Sequence, residues 1–148
     1  MAASALIAIN RNRILLMQRD DYEWLRDPGK WALPGGQLEE GESFDDALVR
    51  EIKEELSIEL KEYKYLGLLE ANGEIQGKIY FANLTDVEIK EVKLGEEGIG
   101  YGMFTASEVF NLNLTAEMQY YRTLFGNKLE LFLADPKSVT PEEIGLKQ

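Results

Sequence analysis

The sequence contains neither cysteine nor histidine in its 148 residues. The absence of cysteine excludes disulfides, thiolate ligands for metals and thiol nucleophiles. The absence of histidine excludes the commonest general base, serine–histidine–aspartate triads and imidazole ligands for zinc. Any catalysis must therefore depend on carboxylates, lysine, arginine, tyrosine or a bound metal ion.

Long apolar runs are also absent. No uninterrupted stretch approaches the roughly 20 residues that a membrane-spanning helix needs. The first ten residues, MAASALIAIN, have no basic lead-in and are followed by two arginines, which is not typical of a secretory signal. We therefore predict a cytoplasmic protein without a membrane segment.

Basic residues are scarce, with 16 Lys and Arg against 27 Asp and Glu and a formal net charge of −11. Proteins that bind duplex nucleic acid or an anionic membrane usually carry a basic patch, and none is visible here. We expect a small-molecule ligand rather than double-stranded nucleic acid or a membrane, and a monomer or a homodimer.

The apolar content of 45% suits one folded domain, which we predict to span residues 1–148, with the last 14 or so forming a tail or short helix. Alternating apolar residues followed by turn signals predict strands, and capping residues followed by apolar periodicity predict helices. The predicted strands cover residues 5–10, 14–18, 63–69, 75–84 and 101–104, and the predicted helices cover 43–56, a short segment from 105, and 115–133. The pattern indicates a mixed α/β fold with helices covering a sheet.

Acidic residues are concentrated in the first predicted helix and its flanks, where residues 39–62 carry −7 of the net −11. On a helical wheel the apolar face predicted to meet the core is defined by Phe44, Ala47 and Leu48. Three glutamates fall on that same face, namely Glu51, Glu54 and Glu55. A solvated acidic helix is the alternative, but its carboxylates should lie opposite the apolar residues.

Three like charges within one turn destabilise a helix, and burying them without partners costs several kcal/mol each. Divalent cations offset both costs, and Mg²⁺ prefers carboxylate oxygens together with water and phosphate. The pattern therefore favours a metal site that handles phosphate.

Residues 36–58 read G-x5-E-x7-R-E-U-x-E-E-x-S-U, where U is a bulky aliphatic residue. This segment resembles the Nudix box over all 23 positions and follows Pro34-Gly35, which completes the usual opening of the box. The departure is Ser57 in place of the last glycine. That position ends the helix with a positive φ, so a serine there should cost about 1 kcal/mol of strain without abolishing metal binding.

The resemblance implies a Nudix-type α/β/α sandwich, with a mixed sheet, the box helix on one face and a long C-terminal helix packed on the sheet. It also implies hydrolysis of a nucleoside diphosphate-linked substrate by attack of water on phosphorus, with Mg²⁺ or Mn²⁺ as cofactor. By the same resemblance, Glu51, Glu54 and Glu55 match metal-binding glutamates, and Gly36 matches the glycine that lets the loop backbone approach the metal site. Glu42 and Arg50 match a pair that forms a salt bridge between loop and helix. Glu51, Glu54 and Arg50 are the residues of the box to which the resemblance gives catalytic roles.

Outside the box the resemblance is carried by fewer residues. Glu97 resembles a glutamate on a late loop that binds metal or acts as a base, and Arg19 resembles a residue that contacts phosphate. Aromatic side chains could stack on a base, and the candidates are Tyr22, Trp24, Tyr101 and Phe104, of which we favour Tyr22 and Phe104. For each single aromatic, packing in the core is the favoured alternative.

The set of candidate substrates is narrowed only by residues that are typical of particular subfamilies and are absent from this sequence. No proline lies about 15 residues past the box, as in ADP-ribose enzymes, and no tyrosine about 17 past it, as in dinucleoside polyphosphate enzymes; Asn72, Gly73 and Glu74 stand there. We therefore predict a (deoxy)nucleoside triphosphate pyrophosphohydrolase, with oxidised nucleotides among its candidate substrates. The alternatives are an ADP-ribose or nucleotide-sugar pyrophosphatase and a non-catalytic nucleotide-sensing domain. A calcium-binding module would need D-x-D-x-D-G spacing, which does not occur.

Overall fold

The structure, a computed structural model, describes residues 2–22, 24, 28–71, 73–96 and 98–148. The strands are β1 (Ala3–Asn10), β2 (Arg13–Gln18), β3 (Trp31–Ala32), β4 (Gly35–Gln37), β5 (Lys64–Ala71), β6 (Glu74–Asn83) and β7 (Gly100–Phe104). The helices are α1 (Phe44–Leu56), α2 (Asp86–Lys90), α3 (Ala106–Val109), α4 (Ala116–Phe125) and α5 (Leu129–Ala134). The five predicted strands are confirmed, the short strands β3 and β4 are additional to them, and α2 was not predicted.

The strands form one mixed sheet in the order β3-β2-β1-β6-β5, with β4 also paired to β1 and β7 to β2. β1 and β6 are parallel, and the other pairs are antiparallel. Two strands share one edge of β1. Ile9 near its end lies opposite Ile14 of β2, and Ala3–Ala5 at its start pair with β4. Since β2 turns from β1 toward β7, the sheet opens between β2 and β4.

Alternation along the central strands separates two hydrophobic cores. Leu6 and Ala8 of β1 pack with the buried residues of α1, whereas Ile7 and Ile9 pack with α3, α4 and α5. The side chains of a strand point alternately to its two faces, so one strand serves both cores. The predicted α/β/α sandwich, with the acidic helix covering one face of the sheet, is confirmed.

Helix α1 begins and ends where its capping residues predict. The Ser43 hydroxyl accepts a hydrogen bond from the backbone N–H of Asp46 at 3.1 Å. The helix ends at Ser57, which has φ 60° and ψ 28° and donates its own N–H to the carbonyl of Lys53. The left-handed conformation expected at this position is therefore confirmed for a non-glycine residue, and the Ser57 hydroxyl donates in addition to the carbonyl of Lys93 at 2.9 Å.

The C-terminal helix is broken, so the prediction of one helix from Thr115 to Leu133 was wrong in this respect. Helix α4 ends at Phe125, and Gly126 has φ 53° and ψ −128°, a conformation that glycine adopts far more easily than other residues. A 3₁₀ turn over Gly126–Lys128 leads into α5. Both helices still pack on the sheet.

The last residues pack on the molecule. Two 3₁₀ turns, Pro136–Ser138 and Glu142–Ile144, follow α5, and Ile144 and Leu146 are buried. Lys147 exchanges two backbone hydrogen bonds with Leu68 of β5. Among the described helices, none is both long and apolar enough to cross a lipid bilayer.

Candidate active site

A cavity of about 720 Å³ occupies the opening between β2 and β4. One wall is helix α1, and the other is the segment that follows β2. The residues of the lining that matter for chemistry are Glu51 and Glu55 of α1, Gly35 and Gly36 of β4, and Arg19 and Tyr22 after β2. This volume lies within the range of about 300–1,000 Å³ that is usual for ligand-binding sites.

Two glycines let β4 approach the helix closely. A Cβ atom on Gly36 would lie 2.5 Å from the carboxylate carbon and from Oε1 of Glu51, so a larger residue there would displace this carboxylate. The N–H of Gly35 donates to Oε1 of Glu55 at 2.7 Å. The Pro-Gly-Gly turn therefore holds Glu55 directly and leaves room for the carboxylate of Glu51.

Arg50 organises the carboxylates around it. Its guanidinium donates two hydrogen bonds to Glu42, at 2.7 and 2.9 Å. The same group reaches Glu51 at 2.9 Å and Glu54 at 3.2 Å, and it donates to the carbonyl of Gln37 at 3.1 Å. Arg50 thus joins the loop before α1, the helix itself and β4.

The ion pair between Arg50 and Glu42 remains charged over a wide range of pH. The hydrogen bonds from Arg50 lower the pKa of Glu42 to about 2, and the backbone N–H of Glu39 acts in the same direction. In return, the hydrogen bonds to Glu42 raise the pKa of Arg50 above its ordinary value. Carboxylates that accept several hydrogen bonds commonly show such lowered pKa values.

Glu54 does not face the cavity, so the prediction that its side chain points inward was wrong. Its side chain is 59% exposed and bends back toward Arg50. Its azimuth lies at the margin of the inward stripe, where a small rotation moves a long side chain into solvent. Within the described part of the chain, no three acidic side chains are close enough to hold a metal ion by themselves.

The carboxylates that do face the cavity still suit a divalent cation. Mg²⁺ commonly binds through one or two carboxylates and completes its shell with water and substrate phosphates. Glu51 and Glu55 are one helical turn apart on the same wall, and Glu54 is next to them in sequence. The chemistry of this donor set therefore fits a hydrated cation that is bound together with phosphate.

Only some of the predicted site residues outside the box lie at the cavity. Arg19 is exposed on the rim of the cavity, and Tyr22 and Trp24 line it. Phe104 lies outside the lining, because its ring packs edge-to-face on Trp31 at 5.0 Å as part of the core. Glu97 lies outside the described residues.

Asp20 is a residue of the cavity that the sequence analysis missed. Its carboxylate accepts a hydrogen bond from the N–H of Gly98 at 3.1 Å, which ties the segment after β2 to the loop before β7. In the sequence it is one of several polar residues after a strand, and nothing distinguishes it from a solvated turn.

Comparison with known proteins agrees with this architecture. A family model described as NUDIX domain matches residues 1–124. The chain belongs to the Nudix family. Its similarity to diphosphoinositol polyphosphate phosphohydrolase 3-alpha of Mus musculus, 30% identical over 118 residues, covers 76% of this chain and 69% of that protein. This Nudix chain is a pyrophosphohydrolase by class, and enzymes of the family generally use divalent metal cations.

Two further similarities concern a short segment of the chain and the fold. Nucleoside triphosphatase NudI of Escherichia fergusonii is 61% identical over 33 residues, which cover 22% of this chain and 23% of that protein. A mutT/nudix family protein from Listeria innocua superimposes with a TM-score of 0.67 at 23% identity, covering 93% of this chain and 94% of that one. The structural similarity shows the shared fold alone.

Proposed function

We propose that this Nudix enzyme hydrolyses nucleoside diphosphate-linked substrates with Mg²⁺ or Mn²⁺, and that its substrates are (deoxy)nucleoside triphosphates. Water adds to the α-phosphorus as the bond from that phosphorus to the bridging oxygen breaks, and the products are a nucleoside monophosphate and pyrophosphate. The observation that carries the proposal is the pair Glu51 and Glu55, which face one cavity against the glycines of β4 and share it with Arg19 and two exposed aromatic rings.

The residues of the cavity have distinct roles under this proposal. Glu51 and Glu55 would hold the cation, and Glu54 would have to turn away from Arg50 to join them. Arg50 keeps Glu51 in place, and Arg19 contacts a phosphate oxygen. When bound, a divalent cation neutralises phosphate charge and makes the attacking water more acidic.

Proton transfer also falls to carboxylates, since the chain has no histidine. The proton of the attacking water passes to Glu97 or to one of the box glutamates. Arg50 donates a hydrogen bond to Glu51 at 2.9 Å, which holds that carboxylate in position. A preorganised carboxylate needs little rearrangement when charge develops during the reaction.

The charge of the cavity supports a requirement for cations. Its described lining contains four acidic side chains and two arginines, Arg19 and Arg50. Arg50 already donates to three carboxylates. A triphosphate would therefore meet net negative charge, and it can bind only with cations that screen the repulsion.

The charge of the cavity lining also favours nucleotides over diphosphoinositol polyphosphates, after which the mouse relative is named. A polyphosphorylated inositol presents many phosphates and needs several cationic side chains around it. Among the described lining residues, only Arg19 and Arg50 are cationic. We therefore favour nucleotides over inositol polyphosphates.

A screen of nucleoside triphosphates and other nucleoside diphosphate derivatives, with Mg²⁺ or Mn²⁺, tests the proposal. We expect pyrophosphate rather than phosphate as the product from triphosphates. Glu51→Gln and Glu55→Gln should each lower turnover by at least about 100-fold, because a neutral amide is a poor ligand for these cations. Glu62→Gln, an exposed acid outside this cavity, is the matched control. Normal rates in both glutamine variants, or no hydrolysis of any nucleotide, would contradict the proposal.

A further inference from the structure

Two aromatic side chains form an exposed stack at the mouth of the cavity. The rings of Tyr22 and Trp24 are nearly parallel, with centroids 4.6 Å apart and 7° between their planes. Trp24 is 78% exposed and Tyr22 is 52% exposed. Neither ring belongs to the two hydrophobic cores that the described residues form. The core therefore gives no reason for these rings to be where they are.

The position of the pair relates it to the catalytic wall. Both rings line the same cavity as Glu51, Glu55 and Arg19. Tyr22 covers one face of the indole, so the exposed area of Trp24 is its opposite face and its edges. A flat apolar face, open to solvent beside a phosphate-binding wall, fits a ligand with a planar ring attached to phosphates.

We propose that the open face of Trp24, supported from behind by Tyr22, stacks on the heteroaromatic base of the substrate and so selects nucleotides over diphosphates without a planar ring. This inference rests on the proposed function of the same cavity. Stacking of a base on an aromatic side chain contributes about 1–3 kcal/mol and tolerates every base, because each base has a π-face. Trp24 would thus decide the class of substrate rather than the identity of the base.

Kinetics on variants is the first test. We expect Trp24→Ala to raise the KM for a nucleoside triphosphate by about 5- to 150-fold, the range that corresponds to the stacking energy, with a smaller effect on kcat. Trp24→Phe should keep the KM within about threefold, since a phenyl ring still stacks. Tyr120→Ala, which removes a 49% exposed aromatic ring outside the cavity, is the control and should leave KM unchanged.

Fluorescence gives a second readout that does not depend on turnover. The chain has two tryptophans, and Trp31→Phe leaves Trp24 as the single reporter. With Mg²⁺ present, a nucleoside triphosphate analogue with a methylene group between the α- and β-phosphorus should quench this fluorescence. Tripolyphosphate, which carries similar charge and no base, should not.

The outcomes distinguish this inference from the proposed function. If the wild type hydrolyses nucleotides and Trp24→Ala keeps the wild-type KM, the stacking role is wrong and the proposed function stands. If the wild type hydrolyses no nucleotide, the proposed function fails, and the quenching assay still decides whether Trp24 stacks on a base. Equal quenching by tripolyphosphate and by the nucleotide analogue would overturn the inference.

Discussion

At the scale of single residues, Arg50 contacts several acidic groups at once. It donates to Glu42, Glu51 and Glu54 and to one backbone carbonyl, so it satisfies several negative groups at once. The planar guanidinium can bind two oxygens of Glu42 in parallel and still present further N–H groups to its neighbours. A lysine ammonium cannot reproduce that arrangement.

We expect Arg50→Ala to lose both stability and activity, because it leaves Glu42 and Glu51 without their shared cation in a crowded acidic site. The melting temperature should fall by at least about 3 °C, the shift that about 1 kcal/mol produces in a domain of this size. Arg50→Lys should recover little of either loss. Thermal melts and steady-state rates on the three proteins measure this, and an unchanged melting curve for Arg50→Ala would show that the contacts contribute nothing.

The lowered pKa of Glu42 predicts a specific acid sensitivity. Its pKa falls from an ordinary value of about 4.5 to about 2 in the folded protein. The resulting stabilisation is complete above about pH 4.5 and disappears as the pH falls toward 2, because the unfolded state takes up the proton first. Urea unfolding of wild type and Glu42→Gln should therefore converge as the pH decreases through this range.

Arg50→Ala supplies the control for this prediction. Without the arginine, the main cause of the lowered pKa is removed. Glu42→Gln introduced into Arg50→Ala should therefore alter the pH dependence much less than it alters that of the wild type. An equal effect in both backgrounds would show that Arg50 does not cause the acid sensitivity.

The sequence predicts the residues of the cavity unevenly, for reasons that differ from one residue to another. Glu51 and Glu55 lie on the stripe defined by Ala47 and Leu48, so helical periodicity is enough to orient them. Glu54 has a similar azimuth, but its contact with Arg50 and its exposure to solvent decide its orientation. These are tertiary features, and periodicity contains no information about them.

At the scale of elements, the loop before β7 is attached to the end of α1. The N–H of Lys93 donates to the carbonyl of Leu56 at 2.9 Å, and the N–H of Gly95 donates to that of Glu55 at 3.1 Å. These carbonyls belong to the last turn of the helix, where no N–H of the helix itself is available. The loop thus completes the helix terminus and is held beside the glutamates.

Gly95→Ala should detach this loop. A Cβ atom at Gly95 would lie 2.0 Å from the carbonyl oxygen of Glu54, and a backbone atom cannot move aside as a flexible side chain can. We expect lower kcat/KM and a lower melting temperature. Gly100→Ala is the matched control, since a Cβ there meets only Gln18 at an ordinary 3.6 Å. If both alanine variants behave alike, the close contact at Gly95 is not needed.

The C-terminal helices show why the sequence predicted one helix where the structure has two. Apolar residues continue with helical spacing from Met118 through Phe125 to Leu133, which explains the expectation of one helix. Gly126 interrupts the backbone without interrupting that pattern. A single glycine inside a periodic segment can be tolerated or can break it, and only packing with the rest of the fold decides between the two.

At the scale of the whole molecule, a net charge of −11 makes cations relevant to folding as well as to catalysis. A ligand that binds only the native state stabilises it by about 2.7 kcal/mol at one hundred times its dissociation constant. We therefore expect Mn²⁺ at millimolar concentration to raise the melting temperature by about 5–10 °C relative to EDTA.

Two variants that each remove one negative charge, one inside the cavity and one outside it, are the control for the effect of Mn²⁺. Glu51→Gln should lose most of the upward shift, whereas Glu62→Gln should keep it. An equal shift in both variants would indicate general screening of negative charge, and no shift in the wild type would mean that the protein without nucleotide does not bind the cation.

Strand β5 lies at one end of the sheet, and the tail covers part of it. Lys147 pairs with Leu68 through the backbone and places its ammonium 3.1 Å from Glu70. An uncovered edge strand offers unpaired N–H and C=O groups on which a strand from another molecule can add, and chains guard against this by covering such edges. The segment around Lys147 therefore leaves fewer edge groups open to another molecule, and we expect it to hinder edge-to-edge aggregation, a task unrelated to the chemistry at the opposite side of β1.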